Sequence, residues 1–249
     1  MDRLAREIEF HDHRYVDGVG ARPQDHFYVA VSEAADLAFD KVAECARAGG
    51  SGLEIGCATG YHTEQLLKIG LFEAHGIDVS SSAIDAANRR FAATAGTASF
   101  KLMDANHLEF EDGRFDFVFG SGVIHHLELP RAVAEGRRVL RRGGRYIFME
   151  PLGTNPLINL YRQRTPQNRS ADETPLTADH LNQIRAIFDE VDVRYFGFFT
   201  LAAIPLRRWP GLQKTALALL RQVDRLFFKL PGAWKLAWMA VIDARVGHR

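Results

Sequence analysis

Leu53-Glu54-Ile55-Gly56-Cys57-Ala58-Thr59-Gly60 decides the reading of this chain. A short apolar run closes on an acidic residue, turns through glycine and leads into a helical pattern. Glycine has no Cβ, so such a turn lets backbone come close to a nucleoside-type ligand near a helix N-terminus. The stretch alone is a weak signal; its weight comes from three more segments downstream. Ile77-Asp78 closes a second apolar run and Met103-Asp104-Ala105 a third. Phe115-Asp116-Phe117-Val118-Phe119-Gly120 makes a fourth, leading into Ser121-Gly122-Val123-Ile124-His125-His126-Leu127.

Around these segments, apolar runs alternate with helical periodicity. Strands are expected at 52–55, 74–78, 98–103, 115–120 and 145–150, and helices at 62–69, 81–94 and 130–141. Ser80 and Ser81 mark one helix start, Pro130 lies in the first turn of another, and Gly143-Gly144 is expected to end it. A further helix at about 29–48 stops at Gly49-Gly50. This order implies an α/β fold: a parallel sheet with helices on both faces. After Glu150, four prolines (151, 156, 166 and 175) punctuate a polar segment with Arg162, Arg164 and Arg169, expected to be a lid or a disordered loop. A helix at 178–188 and a strand at 191–197 come next, then two helices at about 211–229 and 232–246.

The chain has 249 residues, 47% apolar and 25% charged, enough for one substantial core. A formal net charge of zero argues against a nucleic-acid partner. That average hides an asymmetry: residues 205–249 hold nine Lys and Arg against two Asp, a net +7. Cys45 and Cys57 suggest neither a disulfide framework nor a metal cluster, and His11-x-His13 lacks supporting ligand spacing, so no metal is expected. The first residues lack an apolar signal region and no apolar run reaches spanning length. The expected location is cytoplasmic, either free or peripheral at the inner face of a membrane.

With these four strand ends in this order, the chain resembles the class I S-adenosylmethionine (SAM)-dependent methyltransferases, of the type 11-like group that methylates small molecules and lipids. The resemblance implies a Rossmann-like, seven-stranded, mostly parallel sheet flanked by helices, completed by the strand at 191–197. It divides the chain into an N-terminal cofactor flap (1–29), a SAM-binding core (30–204) and a basic, amphipathic helical tail (205–249) forming a C-terminal helical cap. It also implies a SAM site. Gly56, Cys57, Ala58 and Gly60 would wrap the methionine and ribose, with Ala58 standing where the family form has its middle glycine. Glu54 would anchor that loop and the cofactor's amino group, directly or through water. Asp78, beside Val79, would accept from the ribose hydroxyls. Asp104 would accept from the adenine amino group with the Ala105 N–H near the ring, and Ser121 and Gly122 would meet the methionine end. The flap would fold over the cofactor with Phe10, Tyr15, Phe27 or Tyr28.

Three readings stay open. His125 or His126 could deprotonate an acceptor hydroxyl, or the pair could shape the loop. Glu150 could act on the acceptor or cap a loop. The tail, with its apolar stripe (Leu212, Ala216, Leu219, Leu220, Val223, Leu226, Phe227, Leu230) and Trp234 and Trp238, could pack as a cap or homodimer interface, or lie on an anionic membrane. The expected reaction is methyl transfer from SAM to a hydroxyl, then an amine or carbon, of a small or lipid-like acceptor. The alternatives are a non-catalytic partner subunit and an NAD-type oxidoreductase; the latter needs G-x-G-x-x-G, which the chain does not match. Asp116, which begins its strand, reads as structural.

Overall fold

The computed structural model describes residues 3–16, 25–46, 49–70, 72–92, 98–166, 170 and 172–247. Seven strands form one sheet: β1 (Gly50–Ile55), β2 (Phe72–Asp78), β3 (Ala98–Leu102), β4 (Phe115–Ser121), β5 (Leu140–Pro151), β6 (Glu190–Phe196) and β7 (Met239–Arg245). Their order is β3-β2-β1-β4-β5-β7-β6. The first five pair in parallel; β7 runs antiparallel to both β5 and β6.

The helices are α1 (Arg3–Val16), α2 (Ser32–Ala43), α3 (Tyr61–Ile69), α4 (Ser81–Phe91), α5 (Leu129–Val139), α6 (Pro156–Arg164), α7 (Ala178–Ile187) and α8 (Pro210–Phe227). Local chemistry sets their ends. Ser80 caps α4 by accepting the Ala83 N–H, Asn155 caps α6 through the Leu157 and Ile158 N–H groups, and Thr177 and His180 form a capping box on α7. α2 buries Ala34, Ala38 and Val42 against Phe117, Phe119, Ile147 and Val241 on one face of the sheet. Leu129 and Val133 of α5 and Leu181 and Ile184 of α7 cover the other face with Val118, Tyr146 and Phe148. β4 is buried along almost its whole length, as a central strand covered on both sides must be. Asp116 is structural: it accepts the Ser51 N–H and pairs with Arg141.

The expected fold class is the observed one, with three local corrections. Residues 239–245 form β7, not the second half of a helical tail, so the boundary at 204/205 does not separate a helical appendage from the sheet. Met-Ala-Val-Ile-Asp-Ala-Arg is a short apolar run that fits a buried strand or a helix equally well, and its place rests on partners far away in sequence. One is Arg145 on β5, whose guanidinium meets Asp243. The helix before β5 ends at Val139, and Gly143-Gly144 lie inside the strand. The segment after Glu150 contains α6; Arg169 lies outside the described residues. The 3-10 helix Phe199–Arg208 is held by buried Asp224 of α8, which accepts from the N–H groups of Phe198, Phe199 and Thr200. No helix among the described residues is long and apolar enough to cross a membrane.

Candidate active site

The sheet order reverses between β1 and β4, and ligands of such sheets sit at the carboxyl ends of the strands beside that switch point. A cavity of about 1230 Å³ lies there, beyond the roughly 300–1,000 Å³ of a single small-molecule site. Gly56, Cys57, Ala58, Asp78, Val79, Asp104, Ala105, Ser121, Gly122, His125 and His126 all line it, as do Phe10, Phe27 and Tyr28 from the N-terminal region. Of the expected site residues, Glu54, Gly60 and Glu150 are not on its wall. The side chains of His13 and Tyr15 lie outside the described residues.

The glycine loop is held from within. Gly56 and Cys57 donate their N–H groups to Ile77 O at 2.9 and 3.0 Å, and Gly60 donates to Cys57 O at 2.8 Å. Ala58 N–H donates to Asp78 Oδ2 at 2.9 Å. The loop therefore does not offer these donors to a ligand; its glycines give it a tight path. Gly56 has φ +70° and Ala58 +48°, so the residue replacing the family's middle glycine sits in the left-handed region glycine favours.

Glu54 braces the loop from within. It is buried behind the loop and accepts the Thr63 hydroxyl of α3. Burial raises its pKa to about 8, and the Thr63 hydrogen bond only partly offsets this. A carboxyl bound more tightly to its proton in the fold contributes stability below its usual 4.5, and that stability is lost as pH rises through about 8. Glu54→Gln is expected to leave the unfolding midpoint little changed at pH 5 and to raise it above wild type at pH 9, by about 2 kcal/mol or more at the midpoint. Thermal unfolding by circular dichroism at the two pH values checks this; identical curves for the two proteins at pH 9 would refute it. Cys57 is no nucleophile: burial, then the charges of Glu54 and Asp78, push its thiol well up.

Asp78 also accepts the Ser80 N–H at 2.9 Å on Oδ1. Backbone N–H groups thus hold both carboxylate oxygens at the cavity wall, where an acceptor pair suits a vicinal diol. Asp104 Oδ1 takes both the N–H and the side-chain amide of Asn106, leaving Oδ2 to accept from an exocyclic amino group. These acids, the tight loop and the cavity volume fit SAM. Asn106 was not singled out by sequence. Its own carbonyl accepts the Glu128 N–H, so it ties the Asp104 end of the cavity to the loop before α5. Asp78→Ala is expected to weaken SAM binding by about 2–3 kcal/mol, roughly 30- to 150-fold, through the lost acceptor and the loosened loop. Calorimetry checks it, with unchanged affinity counting against the ribose assignment.

The histidine pair is organised by two buried carboxylates. Glu150, completely buried, accepts the Val123 and Ile124 N–H groups at 2.9 and 3.1 Å through Oε1. Its Oε2 lies 2.6 Å from His125 Nδ1. Glu150 is therefore a loop anchor and not an acceptor-facing base. A carboxylate at that distance selects the Nδ1–H tautomer and leaves His125 Nε2 as the basic nitrogen. His126 Nδ1 lies 3.1 Å from Glu7 of α1. Burial by itself would raise the Glu7 carboxyl, but contacts with His11, His126 and Ser170 outweigh it and hold it well below the usual range. Glu7 and Glu173, which comes within 4.0 Å of His125 Nε2, also went unread in the sequence. Glu7 and His11 stand four residues apart on one face of α1, the one local hint that this helix carries site residues. The helix is seated on the core by Arg6 with Asp172 and by Asp12 with Ser80 and Ser82.

Comparison with known proteins agrees with this geometry. Residues 53–148 match the family described as "Methyltransferase domain". An O-methyltransferase of Penicillium expansum, cnsE, is 31% identical over 107 residues, covering 42% of this chain and 39% of that protein. The chain thus spans well under half the length of that relative. Geranyl diphosphate C-methyltransferase from Streptomyces coelicolor, solved with Mg2+, geranyl diphosphate and S-adenosylhomocysteine, superposes with a TM-score of 0.65 at 12% identity, covering 99% of both chains. Phosphoethanolamine N-methyltransferase 2 of Haemonchus contortus gives 0.60 at 19% identity over 85% of this chain and 52% of that one. Residues 53–148 thus carry a methyltransferase domain, on the Rossmann-like fold of the class I SAM-dependent methyltransferases. These three proteins are named for transfer to oxygen, carbon and nitrogen in turn, so the acceptor atom is a separate question.

Proposed function

We propose that this protein methylates a hydroxyl group of an apolar, lipid-like acceptor, using SAM as donor. The observation that carries this reading is His125, held by Glu150 through Nδ1 while its ring lines the cavity. When bound, SAM supplies an electrophilic methyl group with a neutral leaving group. The chain's own residues then have two tasks. The glycine loop, Asp78 and Asp104 hold the donor at one end of the cavity, so that an acceptor oxygen can be set in line with the methyl carbon. His125 Nε2 takes the hydroxyl proton as the oxygen–carbon bond forms, and the Glu150 carboxylate steadies the resulting imidazolium. Amines and carbon acids are the less favoured acceptors.

The remaining wall supports an apolar substrate. Phe10, Phe27, Ile158, Leu201, Ile204 and Trp238 line it. Nearby, α6 has no buried residue and exposes Leu157 and Leu160. α8 buries Leu217 and Asp224 but turns Leu212, Leu219, Val223 and Leu226 outward, between exposed Trp209 and exposed Leu230. This refines the stripe read from sequence: part of it packs inward and the solvent side is apolar too. Arg221 and Arg225 are tied to Ser32 and Glu33 of α2. Arg207, Arg208, Lys214, Lys229 and Lys235 remain exposed around the stripe. We read this face as docking on an anionic membrane, with each exposed cation adding about 1 kcal/mol at low salt.

Two measurements test the proposal. Incubation with methyl-labelled SAM and a total lipid extract should move label into the organic phase; label confined to water-soluble products would refute the lipid-like acceptor. In co-sedimentation, the chain should bind phosphatidylglycerol-containing vesicles at low salt and largely release at high salt. Equal retention by neutral vesicles, or a salt-independent dimer with no vesicle binding, would refute the membrane reading.

A further inference from the structure

Glu7 and His11 of α1 meet His126 of the core at the wall of the cavity, with donor atoms of all three within 4.8 Å of one another. Glu7 Oε2 lies 3.1 Å from His126 Nδ1 and 3.5 Å from His11 Nε2. Ligand atoms around a tetrahedral ion with bonds of 2.0–2.1 Å are about 3.3 Å apart, so both separations match edges of such a site. The third edge, between the two imidazoles, is at most 4.8 Å. Glu7 is 4% exposed, yet among the described residues no N–H or O–H is aligned on its Oε2 as a hydrogen bond. Its other oxygen is fixed by the Ser170 hydroxyl at 2.6 Å, the kind of outer contact that orients a ligating carboxylate.

We propose that Glu7, His11 and His126 bind a divalent transition-metal ion of the zinc class, which pins α1 over the cavity. Two imidazoles and one carboxylate form a borderline donor set suited to zinc, cobalt or iron and not to magnesium or calcium, which prefer all-oxygen sites. Because all three residues line the cavity, the remaining coordination position opens towards it and is available to water or to an oxygen of a bound molecule. The ion would add a bond between the helix and the core where Glu7 already meets His126 and Ser170. His125, His126 and Glu173 form a second cluster that shares His126. It is the weaker candidate, because His125 Nδ1 is already committed to Glu150 and its Nε2 stands 4.0 Å from Glu173.

The proposal is independent of the acceptor and is tested without turnover. The untagged full chain, stripped with chelator, is titrated with Co2+ and followed by visible absorption. One ion per chain is expected, with the intense ligand-field bands of a low-coordinate site, displaced by Zn2+. Zn2+ should also raise the unfolding midpoint. Glu7→Gln, His11→Ala and His126→Ala should each weaken binding more than about tenfold, whereas His13→Ala and Glu173→Gln should not. Circular dichroism reports whether each variant folds; if His126→Ala does not, the two α1 variants still decide. Absence of cobalt bands and of any zinc shift in the wild type overturns the proposal. So does binding that survives both α1 variants, or binding lost in Glu173→Gln or His13→Ala instead.

Discussion

His125→Asn is expected to lower turnover by about 100-fold or more while SAM affinity stays within a few fold of wild type. Asparagine places an amide N–H close to where His125 Nδ1 stands, so the hydrogen bond to Glu150 Oε2 is retained. The Val123 and Ile124 N–H groups keep their bonds to Oε1, and the buried carboxylate is not left short of a donor. What disappears is the second ring nitrogen. Alanine would be a poorer choice, since stripping a partner from a fully buried carboxylate is itself destabilising by about 1–3 kcal/mol. Single-turnover rates with saturating SAM, beside calorimetric affinity, separate the two effects. Undiminished turnover would remove His125 from the chemistry. A parallel fall in affinity and rate would instead make the pair a support for the cofactor loop.

Gly56→Val is expected to abolish SAM binding and to cost stability of at least about 2 kcal/mol. Two causes add. Gly56 lies at φ +70°, a conformation that L residues adopt at a cost of about 1–2 kcal/mol and β-branched ones least readily. A Cβ there would also stand 2.6 Å from Val123 Cγ2, and Val123 is pinned through its N–H to Glu150. The loop has nowhere to retreat, because the Gly56 and Cys57 N–H groups are both bonded to Ile77 O. SAM-induced thermal stabilisation is the readout. A folded variant with the wild-type shift would show that this loop does not cradle the cofactor. Gly56→Ala tests the same point more gently, with the same backbone cost and a smaller clash.

The part of the cavity at the carboxyl ends of the strands was legible in the sequence because its signals are local. An acid at the end of each strand, and glycine where the chain must turn with positive φ, leave their mark within a few residues. The fold then brings those separate marks to one edge of the sheet, which alternation of strand and helix already implies. That Asp78, Asp104 and the Gly56–Ala58 turn meet at one cavity was legible in this way, and so was the structural role of Asp116. The rest came from tertiary contact. β7 looks helical or extended in isolation, and only pairing with β5 and β6 and the Arg145–Asp243 contact make it a strand. Glu150 sits at a strand end like the cofactor acids, but burial beneath the Val123–His125 turn makes it an anchor. Glu7 shows locally only its i,i+4 spacing to His11, and its other partner, His126, arrives from beyond the end of β4. Periodicity and turn chemistry are properties of neighbours along the chain, so the linear order of residues was enough to set most of the sheet, its helices and the place where a nucleoside cofactor belongs. Which carboxylate meets which imidazole depends on side chains brought together across the whole core, and that pairing is settled only when the chain is folded.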